Sequence, residues 1–109
     1  MNINSVYCIA EFTAKDGREQ ELYDKLNSLE AETHLENGCI MYSVMQQINN
    51  EYAKGTGHKI IMNEIWRDES SFNKHNNKDH ILKFFNAECV DENGSCKDYN
   101  VRLFKKNIK

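Results

Sequence analysis

Between Asn63 and His80 the chain reads NEIWRDESSFNKHNNKDH, which brings together Glu64, the only tryptophan and two of the four histidines. Histidine, with an ordinary pKa of about 6.5, exchanges protons near neutral pH, so His75 and His80 are candidate general bases. Glu64 and Trp66 are two apart, so on a strand they share one face. There Trp66 could wall a pocket with its N–H on a ligand oxygen, and Glu64 could orient a histidine or accept a proton. Each has a structural alternative: a core anchor for Trp66, the partner of a buried polar group for Glu64, and helix-end residues for the histidines. Tyr42 could offer a hydroxyl to a ligand or sit buried with that hydroxyl satisfied. Phe72 and Phe84 could line an apolar pocket or close the core, as could Phe85. His75 and His80 are five apart across a break, unlike the i, i+4 pair of a helical zinc site, and no third ligand stands near, so no metal is expected. His34 and His58 read as surface or loop residues.

The elements that must position these groups follow from periodicity. VYCIAEF (Val6–Phe12), CIMYSVMQQI (Cys39–Ile48) and KIIMNEIW (Lys59–Trp66) read as strands. Tyr42 is expected to share a face with Ile40 and Val44, and Asn63 to face away from Glu64 and Trp66. From Arg18 to His34, Leu22, Leu26 and Leu29 make one apolar helix face, with Tyr23 beside them. Asp68 is placed to cap a short helix over Glu69–His75. NNK (Asn76–Lys78) interrupts it, and a further helix runs to about Cys89. KDYNVRLFKK (Lys97–Lys106) alternates Tyr99, Val101 and Leu103 against polar neighbours, predicting a fourth strand with one buried face. Asn49–His58 reads as a polar hairpin loop. The order β-α-β-β-α-β, with the second α broken, is the ferredoxin-like α+β arrangement, an antiparallel sheet with helices on one face. The other face would need covering, and a second copy could supply it, so a homodimer packed sheet to sheet is expected.

Composition excludes several classes. The 109 residues suit one domain, spanning 1–109. Net charge is −3 and the basic residues are scattered among acids, which argues against a surface for nucleic acid. No apolar run approaches the roughly 18 residues that span a bilayer. Met1–Ser5 lacks the charged and apolar regions of a signal peptide, so a cytoplasmic protein is expected. Cys8, Cys39, Cys89 and Cys96 form no C-x-x-C motif, and reduced thiols are expected, although Cys89 and Cys96 flank a turn across which they could meet.

KDG (Lys15–Gly17), ENGCIMYSV (Glu36–Val44), NEIW (Asn63–Trp66) and SFNKHNNKDH (Ser71–His80) together resemble the antibiotic biosynthesis monooxygenase family, the group of small quinol monooxygenase-like proteins, over Val6 to about Phe104. Asn37 and Asp79 depart from the family pattern, standing where proline is common, which concerns turn rigidity more than chemistry. The resemblance implies a dimeric α/β-barrel protein and an oxygenase using neither metal nor flavin, in which an electron-rich quinol, phenol or polyketide-like ring reduces dioxygen itself. Its site residues would be His75, His80 and Glu64 in catalysis, with Trp66, Tyr42, Phe72 and Phe84 binding substrate. The fold also hosts haem-degrading oxygenases, but their marks would fall on Ala10, His75 and Phe85 here, and all three differ. Two rival readings stay open on the same scaffold. One is an isomerase or lyase of a small carbonyl or sugar-derived compound, needing no oxygen. The other is a non-enzymatic ligand-binding dimer.

Overall fold

The computed structural model describes residues 2–55 and 57–107. Every second residue of β1 (Val6–Ala14) and of β3 (Ile60–Trp66) is buried, the period that places one face of a sheet against a core. β2 (Cys39–Gln46) and β4 (Cys96–Phe104) complete an antiparallel sheet in the order β2-β3-β1-β4. Helices α1 (Glu19–Asn27), α2 (Glu30–Thr33), α3 (Glu69–His75) and α4 (Asp79–Phe84) cover one face, and a π-helical turn over Phe85–Val90 leads from α4 to β4. The fold is ferredoxin-like α+β, as the alternation and helix spacing predict. Leu22 and Leu26 from α1 and Met62 and Trp66 from β3 are almost completely buried. Burial of each such side chain contributes about 1.5–3 kcal/mol.

Four expectations change in detail. The helix drawn over Arg18–His34 is two helices, because the Ser28 hydroxyl donates to the Lys25 carbonyl (2.6 Å) and competes with the helical ladder. The helix drawn to Cys89 ends at Phe84 and continues as the π-helical turn, in which Glu88 is buried and accepts from the Ser95 hydroxyl (2.7 Å). Ile40 does not share the buried face of Tyr42 and Val44: the β2–β3 register shifts between Cys39 and Met41, leaving Ile40 exposed. The fourth strand has no well-buried face. Tyr99, Val101 and Leu103 pair with Phe12, Ala10 and Cys8 and so point to the helix side, but the helices leave this edge strand open.

At the opposite edge, α2 covers β2. The Glu30 carboxylate accepts from the Val44 N–H (2.9 Å), and His34 Nε2 donates to the Tyr42 carbonyl (2.8 Å), which satisfies edge groups that would otherwise face water. His34 is therefore a structural clamp. Gly38 immediately precedes β2 with φ +92°, and a Cβ there would collide with the Ser71 side chain on α3. Gly38→Ala is expected to destabilise the protein by about 2 kcal/mol or more, from positive φ plus displacement of α3. A urea titration of both proteins checks this.

Candidate active site

Glu64 stands at the centre of the buried face of the sheet. Its cross-strand neighbours are Cys8 on β1 and Tyr42 on β2. The Trp66 indole Nε1 donates to Glu64 Oε1 at 2.8 Å, and the Cys8 thiol donates to the same carboxylate. Burial of Glu64 outweighs both donors and pushes its carboxyl up to about 7. The same burial, with the nearby Glu64 charge, raises the Tyr42 hydroxyl and the Cys8 thiol, so both stay protonated. Between pH 4.5 and about 7 folded Glu64 keeps a proton that the unfolded chain has lost, so this group's contribution to stability falls as pH rises through that window. Glu64→Gln removes the effect and keeps an acceptor for Trp66. The stability of the variant relative to wild type is expected to rise by up to about 3 kcal/mol between about pH 5 and about pH 8 in urea titrations.

His75 closes α3, whose start is fixed by Asp68 accepting from the Ser71 N–H (2.8 Å). Seven residues of helix carry its imidazole over the sheet, 4.6 Å from the Trp66 ring and 5.2 Å from the Tyr42 ring, centroid to centroid. His75 is buried, and its Nδ1 lies 2.9 Å from Glu36 Oε2, itself shielded from water. A carboxylate accepts from Nδ1–H, which leaves Nε2 as the bare, basic nitrogen. Burial lowers the His75 pKa and outweighs the upward pull of Glu36, so the ring is neutral at neutral pH. His80, in the first turn of α4, makes a second layer. Its Nε2 lies 2.9 Å from the Thr33 hydroxyl and 3.4 Å from Glu36 Oε2, and its Nδ1 lies 3.2 Å from Glu32 Oε2.

A cavity of about 20 Å³ lies between the layers. Tyr42, Met62 and Glu64 form its floor, and Phe72, His75, Phe84 and Phe85 its roof. The residues singled out in the sequence thus fall into two groups. His75, Glu64, Tyr42, Phe72 and Phe84 line the cavity. Trp66 stands behind it with its N–H spent on Glu64, so that N–H is not offered to a ligand, and His80 stands behind His75. The carboxylate that orients a histidine is Glu36, not Glu64. Glu36 sits in ENGC and reads as a turn residue, and nothing in its spacing from His75 shows that they meet. Asn37, beside it, accepts from Arg67 (2.9 Å). Asn63 faces away from Glu64 and Trp66, on the far side of the sheet. His58 meets Thr13 (2.6 Å) and Asp98 (3.2 Å), away from the cavity. Among the described residues no three His, Cys, Asp or Glu are placed to hold a metal ion. All four cysteines are free thiols, and the Cys96 thiol donates to the Asp98 carbonyl (3.2 Å). Among the described residues no helix is long and apolar enough to cross a membrane.

The family model for antibiotic biosynthesis monooxygenase matches residues 5–87. Solved structures share the fold along nearly the whole chain. A conserved protein from Methanosarcina mazei Go1 is 27% identical with a TM-score of 0.77, covering 96% of this chain and 95% of its own. PA3566 from Pseudomonas aeruginosa is 24% identical with a TM-score of 0.76, covering 99% and 100%. SnoaB from Streptomyces nogalater, described as a cofactor-independent oxygenase, is 12% identical with a TM-score of 0.72, covering 97% and 96%. No curated protein matches the sequence significantly.

Proposed function

The chain belongs to the antibiotic biosynthesis monooxygenase family, and on that premise we propose a cofactor-independent monooxygenase that oxidises a quinol or other electron-rich cyclic small molecule with dioxygen. The observation that supports this reading best is the buried His75 imidazole, backed by Glu36, on the wall of a mostly apolar cavity, with Glu64 across from it. His75 Nε2 takes a quinol O–H proton. The anion passes an electron to dioxygen, and the two radicals combine at a ring carbon as a peroxide. The peroxide takes back the proton removed at the start; the ring C–H proton is then lost and the terminal oxygen leaves with a second proton as water, so quinol plus dioxygen gives hydroxyquinone plus water. In this reading Glu64, still partly protonated near neutral pH, gives that second proton and is recharged by the ring proton. The apolar walls limit escape of the peroxide. SnoaB, described as a cofactor-independent oxygenase, has the same fold.

The cavity has room for a water molecule and not for a ring. A substrate enters by displacing Phe72 and Phe85, the half-buried aromatic residues of the roof. The uncovered outer face of the sheet, with Ile9, Ile61, Ile65 and Met41 around the Glu11–Arg102 ion pair (3.0 Å), would pair with a second copy to make a homodimer. Sedimentation in solution reads that state directly.

The reading carries a pH signature. His75 must be neutral and its pKa lies below the ordinary imidazole value, whereas Glu64 must be protonated and its pKa is about 7. Rate is therefore expected to follow a bell, falling on the acid side as His75 gains a proton and on the alkaline side as Glu64 loses one. Oxygen uptake with a panel of reduced benzoquinols and naphthoquinols, corrected for spontaneous oxidation and repeated with a chelator, tests the activity. Uptake that survives the chelator supports the proposal. Turnover of a carbonyl compound without oxygen would support the isomerase or lyase reading, in which the same base and acid move a proton between carbons.

A further inference from the structure

We infer that His80 and Glu32 form a proton path connecting the cavity to solvent, with Glu36 as its inner link; this rests on His75 being the base. The path leaves the cavity wall at His75 Nδ1, runs to Glu36 Oε2 (2.9 Å) and on to His80 Nε2 (3.4 Å). The Thr33 hydroxyl, 2.9 Å from the same Nε2, holds the His80 ring in place. From His80 one exit continues, Nδ1 to Glu32 Oε2 at 3.2 Å. Exposure rises along it: the side chains of His75, His80 and Glu32 are 4%, 13% and 68% exposed. His80 also borders an open surface groove of about 210 Å³, flanked by Lys25 and Lys83. The charged and titratable groups around His80 are Glu32 from α2, Glu36 from the loop after it and His75 from α3, with Lys25, Lys83 and Glu88 sharing the groove.

The path is built to run both ways. A proton arriving on His75 Nε2 moves Nδ1–H to Glu36, a proton from Glu36 to His80 Nε2, and His80 Nδ1–H to Glu32 and water. That leaves both rings in the opposite tautomer. A proton entering by the reverse sequence restores each of them and delivers one proton to the cavity. A reaction that removes a proton early and returns one late therefore resets the path without turning either ring. A purely structural His80 would need its hydrogen bond to Thr33 (2.9 Å), but not a carboxylate within 3.4 Å of each ring nitrogen, one shielded and one facing water.

The test reads the His75 Nδ1–H by heteronuclear NMR in the whole protein, without substrate. In wild type this proton is expected to exchange quickly with water and give a broad signal. In His80→Gln, which keeps a hydrogen-bonding side chain, exchange is expected to slow at least about ten-fold, and added imidazole, admitted by the groove, should restore it. Glu32→Gln, at an exposed position that the fold does not depend on, is expected to slow exchange about two- to three-fold. Unchanged exchange in both variants would overturn the path, as would slow exchange in His80→Gln that imidazole fails to restore. The measurement needs no turnover, so its result is separate from whether a quinol is the substrate. Where a quinol is turned over, His80→Gln should lower kcat with KM unchanged and respond to imidazole in the same way.

Discussion

His75→Gln is expected to lower kcat on a quinol by about 10²–10³-fold while leaving the fold intact, the loss typical when a positioned general base is removed. Glutamine can still donate to Glu36 from its amide but offers no basic nitrogen. The geometry gives the prediction its size. Nδ1–H is committed to Glu36 at 2.9 Å, so the imidazole is held in one tautomer and one orientation against Trp66 and Tyr42. A base already oriented needs little further ordering in the transition state. Glu36→Gln gives a sharper check. Glu36 raises the His75 pKa, so its neutralisation lowers that pKa further, and the acid limb of the pH–rate profile should move to lower pH. Steady-state rates across pH for both variants decide it. A small, pH-independent effect in both would leave His75 a packing residue.

The largest loss of stability is expected from Trp66→Ala. Trp66 has no measurable exposure, packs against His75, and gives its N–H to a buried carboxylate. Truncating a fully buried tryptophan costs about 3–5 kcal/mol, a large share of the roughly 5–15 kcal/mol that holds a small domain folded. Trp66→Phe separates volume from hydrogen bonding. It keeps most of the packing but removes a donor from Glu64, which leaves the Cys8 thiol and costs about 1–3 kcal/mol. The lost bond favours the ionised carboxylate, so the Glu64 pKa should climb further above about 7. The penalty in Trp66→Phe should therefore be larger on the alkaline side of that value, whereas Trp66→Ala loses its packing at every pH. Urea titrations at several pH values distinguish the two patterns.

Most of the frame was legible because it rests on local signals. Alternation in β1 and β3, the leucine face of α1 and the Asp68 cap each follow from residues within one element, and they are enough to put Glu64 and His75 on facing layers. The failures lie where a residue's fate depends on a distant neighbour. Tyr99, Val101 and Leu103 alternate as a half-buried strand should, yet no pattern within β4 tells that the helices stop short of it. Ile40 left its expected face because a single bulge resets the parity of the strand. Glu36 was missed for the same reason: its role comes from a contact with His75, 39 positions along the chain. In the sequence Trp66 and Glu64 stand as two separate candidates, and their partnership through Nε1 changes the part of each. The resemblance indicated a monooxygenase family and the family model bears that out, whereas the quinol and the part played by each side chain are proposals that rest on the cavity.

Direct oxygenation of a quinol in this cavity is tested by turnover of the best quinol from the panel under isotopically labelled dioxygen, with chelator present, followed by mass spectrometry of the product. One labelled oxygen atom is expected in the quinone and the other in water, with loss of both signals in His75→Gln. A product carrying no label, or the same labelling rate in His75→Gln as in wild type, would contradict it.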